Sequence, residues 1–97
     1  MMNKYMVTCE LSPFNLEIHE LIPRQRMVVG RLFDQGVLIT YTLAADRSKL
    51  WMILQASSES ELLTYIHSMP MCKHFDYHYH EIMFHDANKF IHSISLN

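Results

Sequence analysis

The chain lacks several features that would assign it to a class at once. Its net charge is −2, so it has no excess of basic residues to neutralise nucleic-acid phosphates. No apolar run approaches the roughly 20 residues that span a bilayer. The first residues also lack the basic and then apolar pattern of a secretory signal. These absences argue against nucleic-acid and membrane partners, and they predict a cytoplasmic protein.

Cysteine is scarce as well, with Cys9 and Cys72 making up the whole set. Such a pair, in a chain without an export signal, is more typical of two buried thiols than of a disulfide. No linker, low-complexity tract or long repeat divides the 97 residues. We therefore expect a single domain over residues 1–97, with its core at about 4–84 and a tail at 85–97.

Apolar residues are abundant in comparison, at 49% of the chain, and they include eight methionines. A domain this small has a limited core, so part of this apolar surface is expected to remain for association. The composition is that of an ordinary globular chain and not of a disordered one.

The most informative stretch is VLITYTLAADRSKLWMILQA, residues 37–56. Its β-branched and aromatic residues predict strands at 37–45 and 49–56, joined by a polar turn at 46–48. The apolar residues run together instead of alternating, which indicates that both faces of these strands are covered. The chain's own helices can cover one face, and the other face needs a partner.

The preceding residues predict a strand followed by a helix. The strand covers 4–11, and Asn15 is placed to cap a helix over 16–35 whose apolar residues recur at helical spacing. Gly36 then lies where a helix-terminating glycine belongs. Pro23 interrupts the run, so we expect a kink there, or two shorter helices.

The last third of the chain predicts a second helix and a fourth strand. Ser58 and Glu61 form a capping box for a helix over 59–68, and Pro70 prevents its continuation. Residues 75–84 alternate as a strand.

The tail contains Phe90, Ile91 and Ile94, which predict a short helix docked on a neighbour. The resulting order is βαββαβ. Such an order folds as one antiparallel sheet with both helices on one face, the ferredoxin-like α+β arrangement.

Three segments carry a family resemblance. They are the helix end LIPRQRMVVGRLFDQGVL at 21–38, the strand, cap and helix WMILQASSESELLTYIHSMPM at 51–71, and the strand HFDYHYH at 74–80. In these segments the chain resembles the muconolactone isomerase-like family of the dimeric α+β-barrel group. The resemblance implies a homodimer, or a higher homo-oligomer, in which two sheets close face to face into a dimeric α+β barrel.

The resemblance also implies an isomerase-type proton transfer on a small unsaturated organic acid or lactone. The family uses an acid and a lysine near the middle of its first helix, whereas this chain has IPRQR at 22–26. Arg24 or Arg26 can hold a carboxylate bidentately but cannot transfer a proton. We expect the ligand between the sheet and the first helix, with Tyr41 offering a hydroxyl and Trp51 an apolar wall.

The histidines are the candidate acids and bases, since seven of them occur in the chain. His74, His78 and His80 are predicted to share one face of the last strand with Asp76. In this hypothesis His78 or His80 is catalytic, and Asp76 orients one of them.

Two other interpretations remain open. In the first, the histidines are solvated residues on an edge strand, and the chain is a non-catalytic ligand-binding or assembly module. Alternatively, His78 and His80 can bind a metal ion in a metal-dependent enzyme. No HExxH or paired-cysteine motif accompanies them, and the sequence therefore predicts neither a metal nor another cofactor.

Overall fold

The computed structural model describes residues 2–88, which form an antiparallel sheet of four strands and two α-helices. The elements are β1 (Asn3–Leu11), α1 (Leu16–Asp34), β2 (Leu38–Leu43), β3 (Lys49–Ala56), α2 (Glu59–His67), a 3₁₀ helix (Pro70–His74) and β4 (Phe75–Ile82). The order βαββαβ confirms the ferredoxin-like α+β fold. The predicted tail helix with Phe90, Ile91 and Ile94 lies outside the described residues.

The strands follow the order β2-β3-β1-β4, with β1 and β3 at the centre. Alternate residues of each strand point toward the helices, as Val7 does beside Met52 on β3 and Tyr79 on β4. Val7 and Met52 are both fully buried. The core therefore lies between one face of the sheet and the two helices, and its largest fully buried side chains are Tyr5, Val7, Cys9, Met52, Leu54, Leu62, Ile66 and Met69.

The other face of the sheet carries no helix within residues 2–88. We call it the open sheet face, and it is formed by Lys4, Met6, Thr8, Glu10, Thr40, Thr42, Lys49, Trp51, Ile53, Gln55, Asp76, His78, His80 and Ile82. Met6 is 37% exposed here, whereas Val7 beside it is fully buried on the helix side. The open sheet face is thus mixed, with the apolar Met6, Trp51, Ile53 and Ile82 among polar and charged residues, and within residues 2–88 helices cover only the opposite face.

Local signals at both ends of α1 behave as predicted. The Asn15 carboxamide oxygen accepts a hydrogen bond of 2.9 Å from the Ile18 backbone N–H. At the other end Gly36 has φ +73°, a conformation that favours glycine. The Gly36 and Val37 backbone N–H groups then donate to carbonyls of the last turn. The helix continues through Pro23, so the expectation of two separate helices is wrong.

Proline is tolerated at position 23 because only one helix hydrogen bond is lost there, and its acceptor is exposed to solvent. The missing N–H would have donated to the carbonyl of His19, and both Pro23 and His19 are exposed. Water can therefore solvate the unused carbonyl.

The second helix and the hairpin turn also form as predicted. The Ser58 hydroxyl accepts a hydrogen bond of 3.1 Å from the Glu61 N–H. The Glu61 carboxylate accepts its return bond from the backbone N–H of Ser57, one residue earlier than in a standard capping box. In the turn, the Asp46 carboxylate accepts a bond of 3.0 Å from the Ser48 N–H.

The predicted strand ends were too long by one to two residues at several places, including both ends of β2 and the end of β4. Cys9 is buried on β1 and Cys72 is half-buried on the 3₁₀ helix. Both are free thiols, as predicted, but only Cys9 is buried as expected. Within residues 2–88, neither helix has the length and apolar character needed to cross a membrane.

Candidate functional site

A cavity of about 320 Å³ lies between the sheet and the first half of α1. We call it the sheet–helix cavity, and it is lined by Leu11, Ser12, Phe14, Ile18, Ile22, Gln25, Arg26, Tyr41, Leu43, Arg47, Leu50, Met71, His74 and Phe75. The wall is mainly apolar, with a few polar groups. This size and composition are typical of small-molecule sites.

Gln25 forms the polar centre of the wall. It is only 4% exposed, and its carboxamide joins three elements. The Nε2 group donates a hydrogen bond of 3.1 Å to the Tyr41 hydroxyl on β2. The Oε1 atom accepts one of 3.0 Å from the Met71 backbone N–H on the 3₁₀ helix. A buried amide satisfied in this way fixes the positions of the elements around it.

Tyr41 is held ready to donate a hydrogen bond into the cavity. Burial raises the pKa of its hydroxyl above the ordinary value, and the nearby Cys9 thiol adds to this effect, while the hydrogen bond from Gln25 lowers the pKa. The hydroxyl is therefore protonated at neutral pH. Because its oxygen accepts the bond from Gln25, its own proton remains available for a ligand oxygen.

The ionisable groups in the wall are basic, apart from the neutral phenol of Tyr41. Arg26 comes from α1, Arg47 from the β2–β3 turn, and His74 from the 3₁₀ helix. Among the described residues, no Asp or Glu lines the cavity. Since the whole chain has a net charge of −2, the cavity concentrates positive charge in an otherwise slightly acidic protein.

His74 occupies one side of the cavity beside an ion pair at the surface. Its Nε2 atom is buried and lies 3.5 Å from the Glu17 carboxylate, beyond the ordinary length of a hydrogen bond. Glu17 is bound more closely by Lys73, whose ammonium lies 2.9 Å away. That ammonium holds the pKa of the Glu17 carboxyl below its ordinary value. The imidazole therefore lies in the wall with its Nε2 atom within ion-pair distance of Glu17 but without a hydrogen bond among the described residues.

The structure brings together only part of the ligand-binding set predicted from sequence. Arg26 and Tyr41 line the cavity, as expected for a ligand between the sheet and the first helix. Arg24 is exposed on α1 and does not line it. Trp51 lies on the open sheet face, where it pairs with Thr42, so it cannot form a wall with Tyr41.

The predicted catalytic residues also lie on the open sheet face. The rings of His78 and His80 are 5.9 Å apart, and both side chains are exposed, as is Asp76. Within one chain the sheet separates these three residues from the cavity. His74 was predicted to share their face, and this was wrong because the 3₁₀ helix ends at His74 and turns its ring to the helix side.

The metal hypothesis also required ligands beyond His78 and His80. Within residues 2–88, no group of three or more His, Cys, Asp or Glu side chains is placed to hold a metal ion. His74 is separated from the pair by the sheet and cannot be the third ligand. The described residues of one chain therefore give the pair no third ligand.

Sequence reasoning missed Gln25, Arg47 and Phe14. A signal for Gln25 was present, since it falls in register with the buried apolar residues Ile18, Val29 and Leu32 of α1. A glutamine in that stripe is either an unsatisfied polar group or part of a site. Arg47 and Phe14 carried no such signal, because both lie in loops.

Comparisons with known proteins identify no family. No protein-family model matches this chain, and a search of curated proteins finds no significantly similar sequence. The interpretation of the site therefore rests on its geometry.

Proposed function

We propose that this chain binds a small, partly apolar organic acid or lactone in the sheet–helix cavity. The observation that carries the proposal is an apolar cavity whose charged lining groups, among residues 2–88, are all basic. The hydrocarbon part of the ligand packs on the aliphatic wall. Arg26 holds the carboxylate with two parallel N–H donors, and Tyr41 donates to a second ligand oxygen.

The resemblance to the muconolactone isomerase-like family points to the same class of ligand. The ferredoxin-like fold is compatible with that family, although this fold serves many unrelated functions. Support for the ligand therefore comes from the residues of the cavity and not from the fold.

Binding is tested by titrating the protein with small carboxylic acids while recording ¹H–¹⁵N NMR spectra. We expect shifts at cavity residues and saturable binding. Arg26→Gln should weaken the affinity about tenfold, because it removes a charge-assisted pair. Arg24→Gln is the matched control, since Arg24 lies on the same helix outside the cavity. Equal effects of the two variants would contradict the proposal.

Proton transfer on the bound acid is the second candidate function, and the position of His74 favours it. His74 is the only imidazole among the described residues of the wall. It therefore replaces His78 and His80 as the proposed acid or base for a ligand in this cavity.

The activity is tested by following deuterium incorporation next to the carbonyl of an unsaturated lactone acid in D₂O. We expect exchange that His74→Gln removes and that the double variant His78→Gln, His80→Gln retains. Exchange that survives His74→Gln would exclude His74 as the proton-transfer group. If the protein binds the compound but catalyses no exchange, the chain is a binding module for this compound and not an enzyme that acts on it.

We further propose that two copies of the chain pair through the open sheet face. Met6, which is 37% exposed, and the half-buried Trp51 give this face an apolar centre. This apolar centre lies on the side of the sheet away from the sheet–helix cavity. Pairing through it therefore leaves the cavity accessible.

Dimerisation is tested by sedimentation equilibrium with a charge placed in the centre of this face. Thr8 lies between Trp51 and His78 in the strand register, so Thr8→Lys should shift the chain to monomer. Thr64→Lys, on the exposed side of α2, is the matched control and should leave association unchanged. A monomeric wild-type protein would refute the proposal.

We also propose a cytoplasmic location. The support is chemical: Cys9 and Cys72 are free thiols, a state that a reducing compartment maintains.

A further inference from the structure

Two arginines reach the sheet–helix cavity from different elements. Arg26 comes from α1, and Arg47 comes from the tip of the β2–β3 turn. Neither forms a salt bridge with any residue between 2 and 88. Each guanidinium therefore carries a full positive charge that the described protein leaves uncompensated by an ion pair.

Arg47 is held by a contact that uses none of its guanidinium N–H donors, and residues 2–88 offer those donors no hydrogen-bond partner. Its guanidinium carbon lies 4.5 Å from the centroid of the Phe14 ring, a cation–π contact that also joins the hairpin turn to the β1–α1 loop. Phe14 in turn forms a T-shaped contact with the His19 ring, with centroids 6.0 Å apart. A guanidinium over an aromatic face keeps its N–H donors in the plane of the group, where a carboxylate can bind.

From this arrangement we infer that the cavity selects a small dicarboxylic acid. One carboxylate binds Arg26, the other binds Arg47, and the hydrocarbon between them packs on apolar residues such as Ile22 and Leu50. The inference rests on the proposed function, because it specifies the ligand of the same cavity. It adds Arg47 as the residue that determines specificity and Phe14 as the residue that positions it.

The charge of the wall favours two carboxylates over one. A ligand with one carboxylate can neutralise one guanidinium and leaves the other without an anion. No Asp or Glu among the described lining residues can serve as that second anion. A second carboxylate on the ligand supplies that anion. The Gln25–Tyr41 pair then remains free to bind an oxygen atom between the two carboxylates of the ligand.

The test is calorimetric titration of the full chain with straight-chain diacids from pentanedioate to nonanedioate, each compared with the monoacid of the same length. At the best length we expect the diacid to bind about tenfold or more tightly, because it gains a second charge-assisted pair. Arg47→Asn should remove that preference. Asparagine is chosen because it tolerates the φ of +64° at this position.

Two further variants separate recognition by Arg47 from a general effect of charge. Arg24→Gln removes a positive charge outside the cavity and should keep the preference. Phe14→Leu keeps an apolar side chain but removes the cation–π contact, and it should reduce the preference for diacids with little effect on monoacids. Loss of the preference in Arg24→Gln would contradict the assignment to Arg47.

The outcomes distinguish the inference from the function on which it rests. If monoacids bind as tightly as diacids and Arg26→Gln weakens both, the cavity binds acids but does not select two carboxylates, and the inference is overturned. If no acid of either series binds, the proposed function fails together with the inference. If the preference for diacids is lost in Arg47→Asn and kept in Arg24→Gln, both the proposed function and the inference are supported.

Discussion

The carboxamide of Gln25 donates a hydrogen bond of 3.1 Å to the hydroxyl of Tyr41, across the cavity wall. The same side chain accepts a hydrogen bond from the Met71 backbone. One buried glutamine thereby connects the first helix, the second strand and the 3₁₀ helix around the candidate site. Its removal should affect both the stability of the fold and the shape of the cavity.

Gln25→Leu should destabilise the protein by about 1–3 kcal/mol, because it leaves the partly buried Met71 N–H without an acceptor. Leucine has a similar volume, so the change measures mainly the lost hydrogen bonds. Urea denaturation measures the free energy of unfolding of each variant. Gln35→Leu, at the exposed end of the same helix, is the control and should change stability by less than about 0.5 kcal/mol. A comparable loss in the control would show that the polar pair has no special role.

The two glycines of the chain should respond in opposite directions to the same substitution. Gly30 lies inside α1, and a Cβ atom there meets nothing within 4 Å. Gly30→Ala should therefore stabilise the protein by about 0.5–1 kcal/mol through helix propensity. Gly36→Ala should destabilise it by about 1–2 kcal/mol, because φ is +73°. Thermal unfolding of both variants tests the pair, and a loss of stability in Gly30→Ala would reveal a close contact at that position.

Cys9 should make the stability fall at alkaline pH. Burial raises the pKa of its thiol to about 12, with smaller contributions from Cys72 and Glu10. In the unfolded chain the thiol ionises near its ordinary value of 9.0. Above that pH the unfolded state releases a proton that the folded state retains, so the unfolding free energy decreases as pH rises from 9 toward 12.

Denaturant unfolding over this pH range, compared between wild type and Cys9→Ala, isolates the contribution of Cys9. The tyrosines titrate in both proteins, so only the difference between the two curves is informative. We expect a shallower decline in Cys9→Ala. Parallel curves would mean that the thiol ionises alike in the folded and unfolded chains.

Replacing both His78 and His80 by alanine should leave ligand affinity in the sheet–helix cavity unchanged within about twofold. Both side chains lie on the open sheet face, on the other side of the strands from Arg26. Calorimetric titration with the same acids measures the effect. A large loss of affinity would indicate that the histidines of one copy reach the ligand of another, which would return them to the candidate site.

The sequence by itself determined the local structure, because the signals involved act over a few residues. Asn15 and Ser58 cap the helices with side chains that reach backbone N–H groups three residues on. Gly36 ends α1 because it adopts a positive φ at little cost. Together with strand alternation, these signals gave the βαββαβ order and hence the fold.

Only the tertiary structure decided which candidate residues share a site. Arg24 and Arg26 are two positions apart on a helix and point in nearly opposite directions, so only one can face the cavity. Tyr41 lies opposite Met52 in the hairpin register, and this places Trp51 on the other face.

The tertiary structure also decided which face of the sheet carries each histidine of residues 74–80. The 3₁₀ helix ends at His74, and the strand that follows carries His78 and His80 on its open face. A shift of one residue in that boundary would have reversed the faces. Such registers depend on packing between distant segments, which local sequence signals do not specify.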